Sequence, residues 1–294
     1  MTDLGAAVTI RSNVDRCPWD TDDVPTLLHA AVSASHRAGD YVLRQFRKQV
    51  RVRHKITPGV AGSPATDLVS ECDVYAEEII RKTLNSAFPN CGVIGEESGP
   101  HGNGDLRWYV DPIDGTYNFL RGLPLFCISI GYEVGGVPLG GCVYDPVGGE
   151  TFAAHCDEFR LDGWRLPLAG RSPVGPPLVL TDVPNGGPAF HPGDGRLIGD
   201  VLHHAELRRI GSSALALAWT AAGRADMALN TNVYAWDVAA GRALVTAAGG
   251  RFAAFPDPVP TDCRGSFVAW LPSADRLAER VLEWMDVATE RGRS

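Results

Sequence analysis

The chain has 294 residues, 45% apolar and 21% charged, so it can bury a sizeable core and divide into two domains. Its net charge of −8 leaves no basic footprint for a nucleic-acid polymer or an anionic membrane, and no apolar run reaches the length of a membrane span. Seven cysteines, an odd number with no Cys-x-x-Cys pair, argue against a disulfide framework or zinc site and for the reduced thiols of a cytoplasmic protein.

Residues 1–22 are polar and irregular and read as an N-terminal extension. Asp3, Arg11, Asp15 and Arg16 rule out a signal peptide there. Asp22-Asp23-Val24-Pro25 opens a helix that the spacing of Leu27, Ala31, Ala34, Ala38, Val42 and Phe46 carries to about Gln49. Gly and Pro make 57–66 a loop. Ser70-Glu71-Cys72-Asp73 has the form of a capping box, and its helix stops before Pro89. The period then shortens. Gly92–Gly95, Trp108–Asp111, Phe126–Val134, Val137–Tyr144 and Glu150–Ala154 read as strands, with a hairpin at Gly135-Gly136. Residues 23–170 thus form an α+β half with an antiparallel sheet, closed by a linker at 170–177. In residues 171–294, strands (178–181, 206–210, 226–229, 251–255, 267–270) mix with helices (195–204, 212–223, 237–248, 274–291), the pattern of an α/β half.

The chemistry concentrates in Asp111-Pro112-Ile113-Asp114-Gly115. Two carboxylates three apart sit where a buried strand should end, in the turn after it, and Gly115 lets the chain turn. Mg²⁺ takes oxygen ligands, usually a few carboxylates completed by water and phosphate. A two-metal site needs acids from several segments, and Glu96 at a strand end and Asp237 at a helix start supply them. The N–H groups of Gly115 and Thr116 should open a short helix and face an anion. The Thr116 hydroxyl can orient water if an acceptor holds it. Asp73 has two readings, as that acceptor or as a helix-capping acid. Taken singly, the other motifs also have bland readings: an ordinary turn for 111–115, a solvated pair for Glu96-Glu97 and an N-cap for Asp237.

In combination these motifs resemble the inositol monophosphatase family of lithium-sensitive, Mg²⁺-dependent phosphatases, over roughly residues 25–290. The resemblance rests on Asp67–Asp73, Gly95–Ser98, Asp111–Phe119, Gly211–Ala214 and Trp236–Gly241 with Gly249-Gly250. It implies a layered αβαβα sandwich of the inositol monophosphatase and fructose-1,6-bisphosphatase type. It also implies a site with two or three Mg²⁺ ions, and in many members a homodimer. Glu96, Asp111, the Ile113 carbonyl, Asp114 and Asp237 are then the metal ligands. Thr116 and Asp73, with Glu96, activate water; Gly115 and Thr116 bind phosphate; Asp114, Ser212, Ser213 and Asn230 surround the substrate.

The chain departs from the family where inositol-type members carry a substrate-gripping Glu, seven residues before the last metal-ligand Asp. Asn230 stands there, either as an altered specificity residue or as part of a variable loop. The loop 57–66 is long, Lys55 has the wrong spacing to inherit a family lysine's role, and 155–165 keeps only Gly163 of the usual hairpin glycines. The leading expectation is a phosphomonoesterase acting on a small sugar, polyol or cyclitol phosphate. Alternatives are a 3′(2′),5′-bisphosphate nucleotidase, a histidinol-phosphate or fructose-1,6-bisphosphate phosphatase, or a non-catalytic binding protein of the same fold. Bisphosphate substrates would recruit basic residues such as Arg208, Arg209 and Arg224.

Overall fold

The computed structural model describes residues 26–54, 68–166, 175–184 and 193–291. The expectations for residues 1–22, the helix opening at 22–25, Lys55, the loop 57–66 and most of the linker 170–177 lie outside them.

Helix α1 (Thr26–Gln45) buries Leu28, Ala31, Ala34, Ala38 and Val42 along one stripe, as its period requires. It stops short of Gln49 because Arg47 takes a left-handed backbone (φ 64°). Strands β1 (Val52–His54) and β2 (Leu68–Ser70) form a small antiparallel ribbon that delivers the chain into α2 (Glu71–Ala87). There follow β3 (Gly92–Gly95), β4 (Gly99–His101), β5 (Leu106–Asp114), helix α3 (Thr116–Leu120), β6 (Cys127–Val134), β7 (Val137–Asp145), β8 (Glu150–His155), β9 (Glu158–Leu161) and β10 (Trp164–Arg165). The strands make one sheet in the order β10-β9-β8-β7-β6-β5-β3-β4. Helices α1 and α2 cover one face through Trp108, Val110, Ile128, Ile130 and Tyr132.

Next come β11 (Leu178–Thr181), α4 (Asp194–His204), β12 (Glu206–Arg208), α5 (Ser213–Ala221), β13 (Met227–Val233), α6 (Ala235–Ala247), β14 (Arg251–Phe255), β15 (Gly265–Trp270) and α7 (Asp275–Arg291). These strands order as β12-β11-β13-β15-β14. Alternation divides their side chains between two cores. Leu180, Ala228, Phe267 and Ala269 face α5 and α6, while Val179, Met227, Leu229 and Val268 face α4 and α7. The first sheet's second face also meets α5 and α6, through Cys127, Val143 and Phe152. The layers therefore run helix, sheet, helix, sheet, helix, the αβαβα sandwich expected.

Small residues set the central spacing. A Cβ on Gly131 would lie 2.6 Å from the Cβ of Ala239, and one on Gly141 would lie 2.6 Å from the Cα of Ala240. The α6 backbone therefore rests directly on β6 and β7.

Several expectations change. The first sheet is mixed, since β3 and β5 run parallel. The chain turns back through β4 on the outer edge before crossing to β5. The second sheet is mixed as well, parallel at β12-β11-β13 and antiparallel at β13-β15-β14. Strand β5 runs through the acid pair rather than ending before it. Strand β13 extends past Leu229 to Val233, so Asn230 is a strand residue paired opposite Phe267, and the loop reading fails.

Candidate active site

Parallel pairing of β3 with β5 puts Glu96 beside Asp111. The Glu96 N–H continues the ladder by donating to the Val110 carbonyl at 3.0 Å. On a regular strand, residues three apart point to opposite faces. Asp111 and Asp114 escape this because the register against β6 shifts between them: Asp111 lies opposite Ser129, and Asp114 opposite Cys127. Asp111 Oδ1 accepts from Ile113 N at 3.1 Å inside the bulge. The irregularity turns both carboxylates, with Ile113 between them, into one cavity.

Gly115 (φ 96°) turns the strand into α3. No side chain fits there, for a Cβ would stand 2.8 Å from the Leu125 carbonyl. Thr116, the first residue of α3, donates its hydroxyl to Asp73 Oδ1 at 2.9 Å and lies 3.0 Å from the Ile113 carbonyl. Asp73 fills both of its readings. Its other oxygen accepts from the Ser70 N–H at 2.8 Å and the Ser70 hydroxyl at 2.5 Å, closing the box that starts α2. One turn on, buried Glu77 accepts from Glu97 N at 2.8 Å and Ser98 N at 3.0 Å, and from the Ser98 hydroxyl, which fixes the loop carrying Glu96. Sequence reading missed Glu77. Its signal was the i, i+4 spacing from Asp73, which puts two acids on the face of α2 turned to the core.

Asp114 is held by the start of α5. Its Oδ2 accepts from the Ser212 hydroxyl at 2.6 Å and Ala214 N at 2.6 Å, and Ser213 N lies 3.3 Å from Oδ1. Ser212 thus serves Asp114, and caps α5 through Leu215 N, beneath the cavity rather than on its wall. Its expected place around the substrate is not what the structure shows. Asp237 sits in the first turn of α6 and not at its cap. Its Oδ2 accepts from Tyr234 N at 2.7 Å, and it lines the same cavity.

The opposite wall joins β11, β13 and α5. Buried Asn230 donates to Ser213 Oγ at 2.8 Å and to Asp182 Oδ2 at 3.4 Å, and accepts from Asp182 N and from the Thr181 hydroxyl at 3.3 Å. Asp182, a second residue missed from sequence, follows directly on β11 and also accepts from Gly211 N at 2.8 Å. A carboxylate just past the C-terminal end of a parallel strand was the available signal.

The cavity measures about 190 Å³ and is lined by Glu96, Asp111, Asp114, Thr116, Asp182 and Asp237 among others, with no Lys, Arg or His among its described residues. Burial, then the charges of Glu96, Asp114 and Asp237, pushes the Asp111 carboxyl well above its ordinary value. Burial likewise lifts Asp114 to about 6, against the hydrogen bonds from Ser212 and Ala214. It lifts Asp73 to about 6, against those from Ser70 and Thr116. Several buried acids at close quarters destabilise one another's charged forms, and a bound cation relieves that cost. Among the described residues no group of three or more acids, histidines or cysteines is closed around one point as an ion cage. The donor set still suits Mg²⁺, which is usually bound by one or two carboxylates with waters and substrate phosphate completing its shell.

The model of the inositol monophosphatase family matches residues 23–279. The chain belongs to the inositol monophosphatase family. It is 36% identical to an inositol-1-monophosphatase of Rhizobium meliloti, over 76% of this chain and 84% of that protein. It is 35% identical to the Nus factor SuhB of Xylella fastidiosa, over 74% of this chain and 78% of that protein. The crystal structure of the extragenic suppressor protein suhB from Bartonella henselae superposes with a TM-score of 0.75 at 30% identity, covering 88% of this chain and 98% of that one. Inositol monophosphatase family membership makes the chain an enzyme of the phosphoric monoester hydrolase class.

Proposed function

We propose that the protein is a Mg²⁺-dependent phosphomonoesterase that cleaves a small sugar, polyol or cyclitol monophosphate by attack of water on phosphorus. One observation carries this: a cavity walled by carboxylates without a cationic side chain, beside a Thr116 hydroxyl already committed to a buried Asp73. Glu96, Asp111, the Ile113 carbonyl, Asp114 and Asp237 would hold the metal ions. When bound, Mg²⁺ neutralises these acids, polarises the phosphate oxygens and acidifies water.

The protein's own groups do the rest. With its proton turned to Asp73, Thr116 presents lone pairs that accept a hydrogen bond from the attacking water and aim it at phosphorus. Ser70 keeps Asp73 from rotating away. As water attacks, its proton moves to Thr116 Oγ1 and the threonine proton to Asp73; the bond from phosphorus to the ester oxygen breaks, and the departing alkoxide takes a proton from solvent water to leave as the alcohol. Gly115 and Thr116 line the cavity where helix α3 begins, and first-turn N–H groups have no partner within a helix, so these two receive the phosphate oxygens.

A bisphosphate substrate lacks this support. Arg208 pairs with Glu206 at 3.1 Å, Arg224 is taken by Glu150, and Arg209 is not among the cavity's lining residues. The test is phosphate release with Mg²⁺ over inositol, glycerol, sugar, histidinol and nucleotide phosphates, repeated with chelator. Chelator-sensitive release from polyol monophosphates is expected. Release confined to bisphosphates, or unaffected by chelator, would overturn the assignment.

A further inference from the structure

The residue expected from sequence to meet the substrate's alcohol, Asn230, has nothing left to offer it. A side-chain amide has two donor hydrogens and an oxygen with two lone pairs. In Asn230 the hydrogens go to Ser213 Oγ and Asp182 Oδ2, and the oxygen takes Asp182 N and the Thr181 hydroxyl. The side chain is buried at 3% exposure, so a ligand would have to break these bonds to use it.

Asp182 is in the opposite state. Its carboxylate lines the cavity, where Gly211 N and, at longer range, Asn230 Nδ2 hold it. An ionised carboxylate has about four acceptor positions and these bonds occupy two. No Arg or Lys comes within ion-pair distance of it among the described residues, though the charge of Arg209 reaches it from farther off. Ser213 stands across Asn230 with its oxygen already accepting, which leaves its own hydroxyl proton to donate.

We propose that Asp182, with Ser213 beside it, reads the hydroxyls of the substrate's alcohol, and that Asn230 is the positioning residue that holds the pair at the cavity wall. This rests on the phosphomonoesterase reading above and adds its specificity element. An acceptor-only carboxylate favours alcohols with free hydroxyls near the ester. Its charge, offset only at longer range by Arg209, disfavours a second phosphate beside it.

The experiment compares glycerol 2-phosphate and inositol 1-phosphate with p-nitrophenyl phosphate, whose leaving group has no free hydroxyl, and with O-phosphoethanolamine, in wild type, Asp182→Asn and Asp182→Ala. Hydrogen bonds to a charged group predict a loss of about tenfold to hundredfold in kcat/KM on the polyol phosphates, with the nitrophenyl ester little changed. Asn230→Asp, which turns a carboxylate toward Asp182, lowers the same polyol-to-nitrophenyl ratio while kcat on the nitrophenyl ester holds. Equal losses on all substrates, a wild type without preference for the hydroxylated esters, or a loss falling chiefly on the amino alcohol would each overturn the role of Asp182. Those results leave phosphatase action intact. Wild type inert on every ester fails instead at the phosphomonoesterase reading itself, and this inference falls with it.

Discussion

On one side of the cavity, β5 alone delivers Asp111, Ile113 and Asp114 and runs straight into Gly115 and Thr116. Opposite, Asp182, Ser213 and Asn230 come from three elements and meet through hydrogen bonds between residues 17 and 48 apart in sequence. The first wall is a continuous piece of chain whose local irregularity, a register shift, does the aiming. The second is a network in which each side chain holds its neighbour. A wall written in consecutive residues has little freedom to vary without losing its chemistry. A networked wall can exchange one residue for another when a neighbour compensates, as an amide at 230 beside a carboxylate at 182 illustrates. On the proposed reading, reaction and selectivity are carried by different walls.

The sharpest way to break that division is Asp111→Asn. It removes a buried charge from the proposed ion site and should cost about a thousandfold or more in phosphate release, with the fold retained by circular dichroism. Activity near wild type would dismiss the acid wall as the reaction centre. Thr116→Ala comes next, with kcat lower by about a hundredfold to ten-thousandfold and KM little altered. If KM alone rises, Thr116 binds rather than orients water.

The smallest expected effect lies in stability. Asp73 and Asp114 titrate near 6 in the folded chain, above the ordinary 3.8. Folded protein therefore holds more protons than unfolded between about pH 4 and 6, so stability falls as pH rises through that window. Chelator-treated protein should melt a few degrees higher near pH 5 than near pH 7.5. Mg²⁺ should raise the melting temperature more at the higher pH, where protons no longer compete. A chelated protein that melts higher at pH 7.5 contradicts this balance of charges.

The acid wall was legible in the sequence because its signals are local. An apolar run, two carboxylates and a glycine occupy adjacent positions, and Ser70–Asp73 announces its own capping geometry. The strand's true end was not legible. Pro112 and Gly115 look like turn residues, and only pairing with Cys127 shows the chain still in the sheet at Asp114. The layered fold followed from the resemblance, but the parallel pair β3-β5 depends on a crossover that no periodicity reports. Asp182 had only its place just past a strand to mark it, and the true state of Asn230 was out of reach, since it is defined by partners that only tertiary contact supplies. Glu77 was within reach, four residues from Asp73, although acids on a helix usually face water.

Where α6 lies bare against β6 and β7, the fold sets a limit on how this enzyme can diversify. Gly131, Gly141 and Ala240 touch no part of the cavity, yet each lies in the contact that fixes the height of the helix bearing Asp237. A methyl group at Gly131 or Gly141 would press on the α6 backbone at about 2.6 Å, so the helix that carries Asp237 would have to shift to make room. A packing contact outside the cavity thus sets where one of its acids stands.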